Sequence, residues 1–181
     1  MTTWTRRGMI AGTLATAGCA GAVSTSRGVI NTRVAEGLAE LYTTVPGSQS
    51  VVEQSAGVLM MPHTNEGSFF YGAGYGEGAL MIGGAPVDYY SAATASFGLQ
   101  FGAQRFRHAL IFITPEALAN FRSADGWELG VDAEYAVADL AGAATLTTTT
   151  INEPIYAVVF GQQGLIIGAS VEGTKYSRVV R

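Results

Sequence analysis

Two histidines and one cysteine, Cys19, leave this 181-residue sequence little room for a classical active site. His63 follows Pro62 in an expected loop and His108 opens an apolar run, so each is expected to be structural. A nucleophile elbow requires GxSxG, and Gly168-Ala169-Ser170-Val171-Glu172-Gly173 has the wrong spacing. With neither HExxH nor paired cysteines, no zinc site is expected. No catalytic residue, metal or cofactor is therefore assigned, and the chain is read as a non-enzyme.

The charged residues suggest binding instead. Arg105 and Arg107 flank Phe106 and would share one face of a strand, where charge-assisted hydrogen bonds could hold a phosphate. Lys175 and Arg178 could add to them, and pairing with surface acids is the competing reading. Glu77 stands among glycines; buried, it needs a partner, and otherwise it is a rim residue. Glu128, Asp132 and Glu134 alternate along an expected strand. At about 3.3 Å per residue they would spread over roughly 20 Å, too far for the compact oxygen cage of calcium, so a solvated face is expected.

These residues need elements to hold them, and the stretch FFYGAGYGEGALMIGG, Phe69 to Gly84, shows which kind. Glycine occupies positions 72, 74, 76 and 78 while Tyr71, Ala73, Tyr75, Glu77 and Ala79 alternate with them. A dinucleotide loop would open a helix; period two followed by Leu80-Met81-Ile82 and a Gly83-Gly84 turn predicts a strand with one bare face. The pattern returns with Phe97, Leu99, Phe101 and Ala103 opposite Gly98, Gln100, Gly102 and Gln104. Glycine lets strands bend and lets backbone approach closely, so a curved antiparallel sheet is expected.

Around it, Ile30, Val34, Leu38, Leu41 and Val45 recur at helical spacing and predict an amphipathic helix stopped by Pro46-Gly47. A short helix is expected over Ser48 to Gln54 and a buried strand over Ala56 to Pro62. Thr114 fits an N-cap with Pro115 at the first helical position, giving a helix to Arg122. Residues 127–139 read as a strand region, and residues 155–173 as two strands joined at Gln162-Gln163-Gly164. The expected class is α+β and mainly antiparallel β: a curved glycine-rich sheet or partial barrel with an N-terminal amphipathic helix and a short helix near 115–122.

The N-terminus reads as a targeting segment. Arg6-Arg7 before a short apolar run resembles a twin-arginine export signal, and the run is too short to span a bilayer. Thr16-Ala17-Gly18-Cys19 resembles a lipobox, making Cys19 the lipidated first residue of an envelope protein; Ala15-Thr16-Ala17 is the competing cleavage site. The expected organisation is a signal peptide over 1–18, a tether over 19–28 and one domain over 29–181, exported to the periplasm. Loss of residues 1–18 leaves eight basic against 14 acidic residues, a formal charge of −6. That balance argues against nucleic acid as a partner and confines any anionic-lipid contact to a local patch.

Seven segments in order resemble the SYLF domain, a lipid-binding family, over residues 34–177: SAGVLMMP (55–62), GYGEGAL (74–80), YYS (89–91), SFGLQFGAQ (96–104), FITPEALANF (112–121), GWELGVD (126–132) and GQQGLIIGASVEGTK (161–175). In eukaryotic members, which usually carry tryptophan before the serine matching Ser91, the domain is credited with phosphoinositide binding helped by an N-terminal amphipathic helix, and some bind actin. The resemblance makes the helix near Ile30 to Leu41, with Arg27 and Arg33, the membrane-facing candidate; a stripe packed on the sheet is the alternative. This chain departs in being acidic, with Lys175 its only lysine. It implies a bacterial envelope protein binding a lipid or membrane surface, with Tyr75, Tyr90, Ser91, Phe97 and Phe101 as contacts and Arg105, Arg107 and Lys175 as head-group charge. An anchored module whose partner is another envelope protein is the alternative.

Overall fold

The computed structural model describes residues 25–68, 71–97, 102–130, 136–139, 153–164, 171 and 173–181. The expected signal peptide, Cys19, most of the tether, Phe101, Asp132 and Glu134 lie outside them, as does the side chain of Phe97. Helix α1 (Arg27–Thr44) is followed by α2 (Ser48–Gln54), then strands β1 (Gly57–Ser68), β2 (Tyr71–Ile82), β3 (Ala85–Phe97) and β4 (Gly102–Phe112). After α3 (Pro115–Ser123) come β5 (Trp127–Glu128), β6 (Ala136–Asp139), β7 (Ile155–Gly164) and β8 (Thr174–Val179).

All eight strands join one open sheet in the order β5-β8-β3-β2-β1-β4-β7-β6, curled into a half-barrel. Seven strands run antiparallel, and β6 pairs parallel with β7. The α+β, mainly antiparallel expectation is met. Two local expectations are corrected. Gln162-Gln163-Gly164 is not a turn, because β7 runs through it with Gln163 opposite Arg105 and Gly164 opposite Gln104. The strand carrying Glu128 stops there, in a turn at Leu129-Gly130 where Gly130 takes φ +86°; Asp132 and Glu134 lie outside the described residues.

Each face of the sheet has its own core, as period-two alternation requires. Ile30, Val34 and Leu41 of α1 pack on Val58, Met60, Ala109, Ile111, Val158 and Phe160. The expected stripe is thus buried against the sheet, as the packing alternative has it, while Arg27 and Arg33 stay exposed. Gly37 permits this approach, since a Cβ there would lie 3.0 Å from the Met60 sulfur. Helix α3 starts where the sequence places it: Thr114 Oγ1 accepts from the Ala117 amide at 3.2 Å. It delivers Phe121 to the other face, against Tyr90, Phe112 and Trp127 with ring centroids 4.7, 4.8 and 5.3 Å away. None of the described helices is long and apolar enough to cross a membrane.

The curl itself is fixed by a polar contact. Tyr176 on β8 and His108 on β4 are separated by three strands, about 19 Å in a flat sheet. Their side chains nevertheless meet, Tyr176 Oη lying 2.9 Å from His108 Nε2, while His108 Nδ1 lies 3.3 Å from Thr64 Oγ1. This face is therefore concave. The β2 glycines leave it bare where β1 crowds in: a Cβ on Gly76 would fall 2.6 Å from the His63 carbonyl oxygen, and one on Gly78 would overlap the Met60 carbonyl.

Candidate functional site

On the convex face, the ladder slips twice around β4. Strand β1 gains one residue between Met61 and Thr64 relative to β4, which places a bulge at Pro62-His63. Pro62 has no N–H to lose there, and a bulge re-aims the side chain that follows. Strand β7 gains one residue between Phe160 and Gln163, at Gly161, whose φ is +62°. A Cβ on Gly161 would lie 2.6 Å from Glu40 Oε1 and 3.1 Å from Arg107 Nη1, so glycine makes room for the ion pair between those side chains.

Two small cavities meet at Pro62 and His63. One, of about 140 Å³, opens between Arg33, Asn65, Tyr75 and Glu77. The other, about 70 Å³, is bounded by Arg105, Arg107 and Gly161. Burial holds the His63 imidazole below its usual pKa, and Arg107, Arg33 and Arg105 push it the same way against the weaker pull of Glu36. The guanidinium groups differ in their partners. Arg107 is committed to Glu40. Arg105 Nε donates to the neutral Asn65 Oδ1 at 2.9 Å, and among the described residues neither Arg105 nor Arg33 makes an ion pair. Among the described residues, two buried nitrogens here, His63 Nδ1 and Arg107 Nε, find no hydrogen-bond partner, and neither does Glu77 Oε2. Such groups are costly unless something supplies the missing bond. Among the described residues the cleft thus combines two arginines without an ion pair, an unpartnered guanidinium N–H, an unpartnered imidazole nitrogen and an unpartnered carboxylate oxygen.

Glu77 resolves the question its glycine setting raised. It is 13% exposed and pairs with Arg181, while Tyr75 Oη donates to its Oε1 at 3.0 Å. Both contacts fall on Oε1; Oε2 is buried with no hydrogen-bond partner among the described residues, so the acid is paired with Arg181 but only half satisfied.

Residues opposite one another across a sheet share a face, and the register sets Lys175, Ala93, Tyr75, Asn65 and Arg105 in one row across β8, β3, β2, β1 and β4. All five are exposed. Tyr75, at 51%, is a large apolar surface beside the cleft. The row therefore gathers three of the residues singled out from sequence, and Arg107 lies one step below it. The others fall elsewhere. Tyr90 is 3% exposed in the concave core, and its ring is not available at the surface. Ser91 lies on the convex face and points its hydroxyl toward the Ser177 carbonyl at 3.4 Å. Arg178 is remote, pairing with Asp88 together with Arg122. Lys175 is four strands from Arg105, roughly 19 Å along the sheet.

Sequence reasoning missed His63 as a site residue and left Arg33 with the helix. The available signal was Pro-His interrupting an apolar strand, which marks a bulge rather than a loop. A larger cavity of about 310 Å³ at the far end of α1 is lined by Leu38, Tyr42, Val52, Val58 and Met81, with no cation.

Comparison with curated proteins found no match. Residues 93–179 match the family model Ysc84, described as Las17-binding protein actin regulator. The matched segment runs from the middle of β3 to the end of β8 and contains Arg105, Arg107 and Lys175; Arg33, His63 and Tyr75 precede it.

Proposed function

Because residues 93–179 belong to the Ysc84 (SYLF) domain family, we propose that this protein binds anionic lipid at a membrane surface and catalyses no reaction. The observation that carries this reading is the exposed row holding Tyr75 and Arg105 beside a cleft whose Arg33 and Arg105 make no ion pair among the described residues. An exposed aromatic ring beside two arginines suits the apolar and charged layers of a membrane interface. The patch is local, in a chain of net charge −4, so broad electrostatic adhesion does not contribute. In this reading the protein is exported by its twin-arginine segment and anchored in the bacterial envelope through Cys19.

Co-sedimentation of the Cys19→Ser protein with neutral and anionic vesicles over a salt series tests the proposal. Binding to phosphatidylglycerol vesicles that weakens with salt supports it; equal retention on neutral and anionic vesicles refutes the head-group role. The family description names a protein ligand and actin regulation, which favours a second reading: an anchored module whose partner is another protein. That reading predicts no vesicle binding of any composition once Cys19 is replaced.

A further inference from the structure

We propose that the Pro62-His63 cleft is a tetrahedral-oxyanion site, taking a phosphate- or sulfate-like group between Arg33, Arg105 and His63, and that His63 takes up a proton as the group enters. The inference rests on the anion-binding reading above and adds the ligand's chemistry and its coupling to pH. The geometry supplies what an oxyanion needs. Arg33 of α1 lines one cavity and Arg105 and Arg107 of β4 the other, and His63 of the β1 bulge lines both, so cationic groups flank the imidazole from two sides. His63 Nδ1 and Arg107 Nε are buried and unbonded, and each would gain its missing partner from an anion's oxygen.

The charges around His63 set the direction of proton movement. Helix α1 presents Arg33 and Glu36, β4 presents Arg105 and Arg107, and β2 lines the cleft with Tyr75 and Glu77. Glu40 neutralises Arg107, and Arg181 neutralises Glu77. Burial weighs most against the imidazolium, followed by Arg107, Arg33 and Arg105, with Glu36 opposing them. An imidazolium in the empty cleft adds another like charge beside the arginines and is disfavoured. A bound dianion reverses that interaction and offers the imidazolium an acceptor. Anion and proton then help one another by the same factor, as linkage requires. The site fills more readily as pH falls and empties as it rises.

The chain has two histidines, and burial pulls His108 down to about 3. A ring-proton NMR titration near neutrality therefore reports His63 alone. Sulfate is the probe, since its charge is constant over that range whereas a phosphate monoester titrates near pH 6. With the full chain carrying Cys19→Ser, saturating sulfate is expected to raise the His63 midpoint by about one pH unit, equivalent to roughly tenfold tighter sulfate binding to the protonated form. Arg105→Ala and Arg33→Ala, both at exposed positions, should each shrink the shift.

Sulfate that binds without moving the His63 midpoint overturns the proton coupling. Failure of sulfate to bind at any pH, with salt-sensitive vesicle binding intact, overturns the oxyanion site and leaves the membrane reading standing. Competition separates the sources of the ligand: release of the protein from phosphatidic acid vesicles by sulfate assigns the cleft to a lipid head group, and sulfate binding without release assigns it to a free oxyanion.

Discussion

Replacing Gly76 by alanine tests the link between the bare face of β2 and the bulge that aims His63. The new methyl carbon would stand 2.6 Å from the His63 carbonyl oxygen and 2.9 Å from Thr64 Oγ1, where ordinary contact begins near 3.4 Å. Relief requires the bulge carbonyl to move by about 0.8 Å, and backbone in a paired strand yields less readily than a side-chain tip. Overpacking of this kind costs about 1–3 kcal/mol, offset by the roughly 0.5–1 kcal/mol that alanine gains over glycine in a strand. A net loss of about 1–2 kcal/mol is expected, or roughly 2–8 °C in Tm for a chain of this size. Gly74→Ala is the control, because its Cβ meets Thr94 Cβ at 3.4 Å, an ordinary contact, and its stability should be unchanged or slightly raised. Urea denaturation of both variants measures the difference, and the His63 titration should shift in Gly76→Ala alone. Equal stability of the two variants would refute the close-approach account of the alternating glycines.

Two further outcomes follow from named contacts. His108 is neutral in the folded protein and pulled down to about 3 by burial, below its unfolded value near 6.5, so its contribution is intact above pH 6.5 and is lost as pH falls toward 3. That amounts to about 2 kcal/mol at pH 5; His108→Gln should flatten the acid limb of the stability profile by this amount in denaturant titrations, and an unchanged limb would exclude it. Thr114→Ala removes the hydroxyl that caps α3 and should lower stability by about 1 kcal/mol in the same assay, whereas Thr114→Ser should recover most of the loss.

Local chemistry made much of the fold legible. Thr114-Pro115 wrote its own helix start, Pro46-Gly47 ended α1, and glycines at alternate positions announced a strand that another backbone approaches. What could not be read was distance across the sheet. The alternation of Phe106 with Arg105 and Arg107 put both arginines on one face, yet only the register shows Asn65 beside one and Glu40 beside the other. Tyr90 and Tyr75 are equivalent as letters; the first faces the concave core under Phe121 and the second faces solvent. His63 reads as a structural loop residue because Pro62 looks like the end of a strand, whereas both neighbouring ladders continue past it by absorbing one extra residue. The turn expected at Gln162-Gly164 failed for a related reason, since the conformational break sits at Gly161 as a bulge and β4 supplies the partner beyond it.

The claim that this face engages anionic lipid is tested most directly by comparing the Cys19→Ser protein with its Arg33→Ala/Arg105→Ala derivative in co-sedimentation with phosphatidylglycerol vesicles at low salt. Both arginines are exposed and free of ion pairs among the described residues, so the substitutions should leave the thermal unfolding transition in place. The account predicts that the double variant loses most of its binding and the salt dependence of what remains. Undiminished, equally salt-sensitive binding by a folded double variant would contradict it.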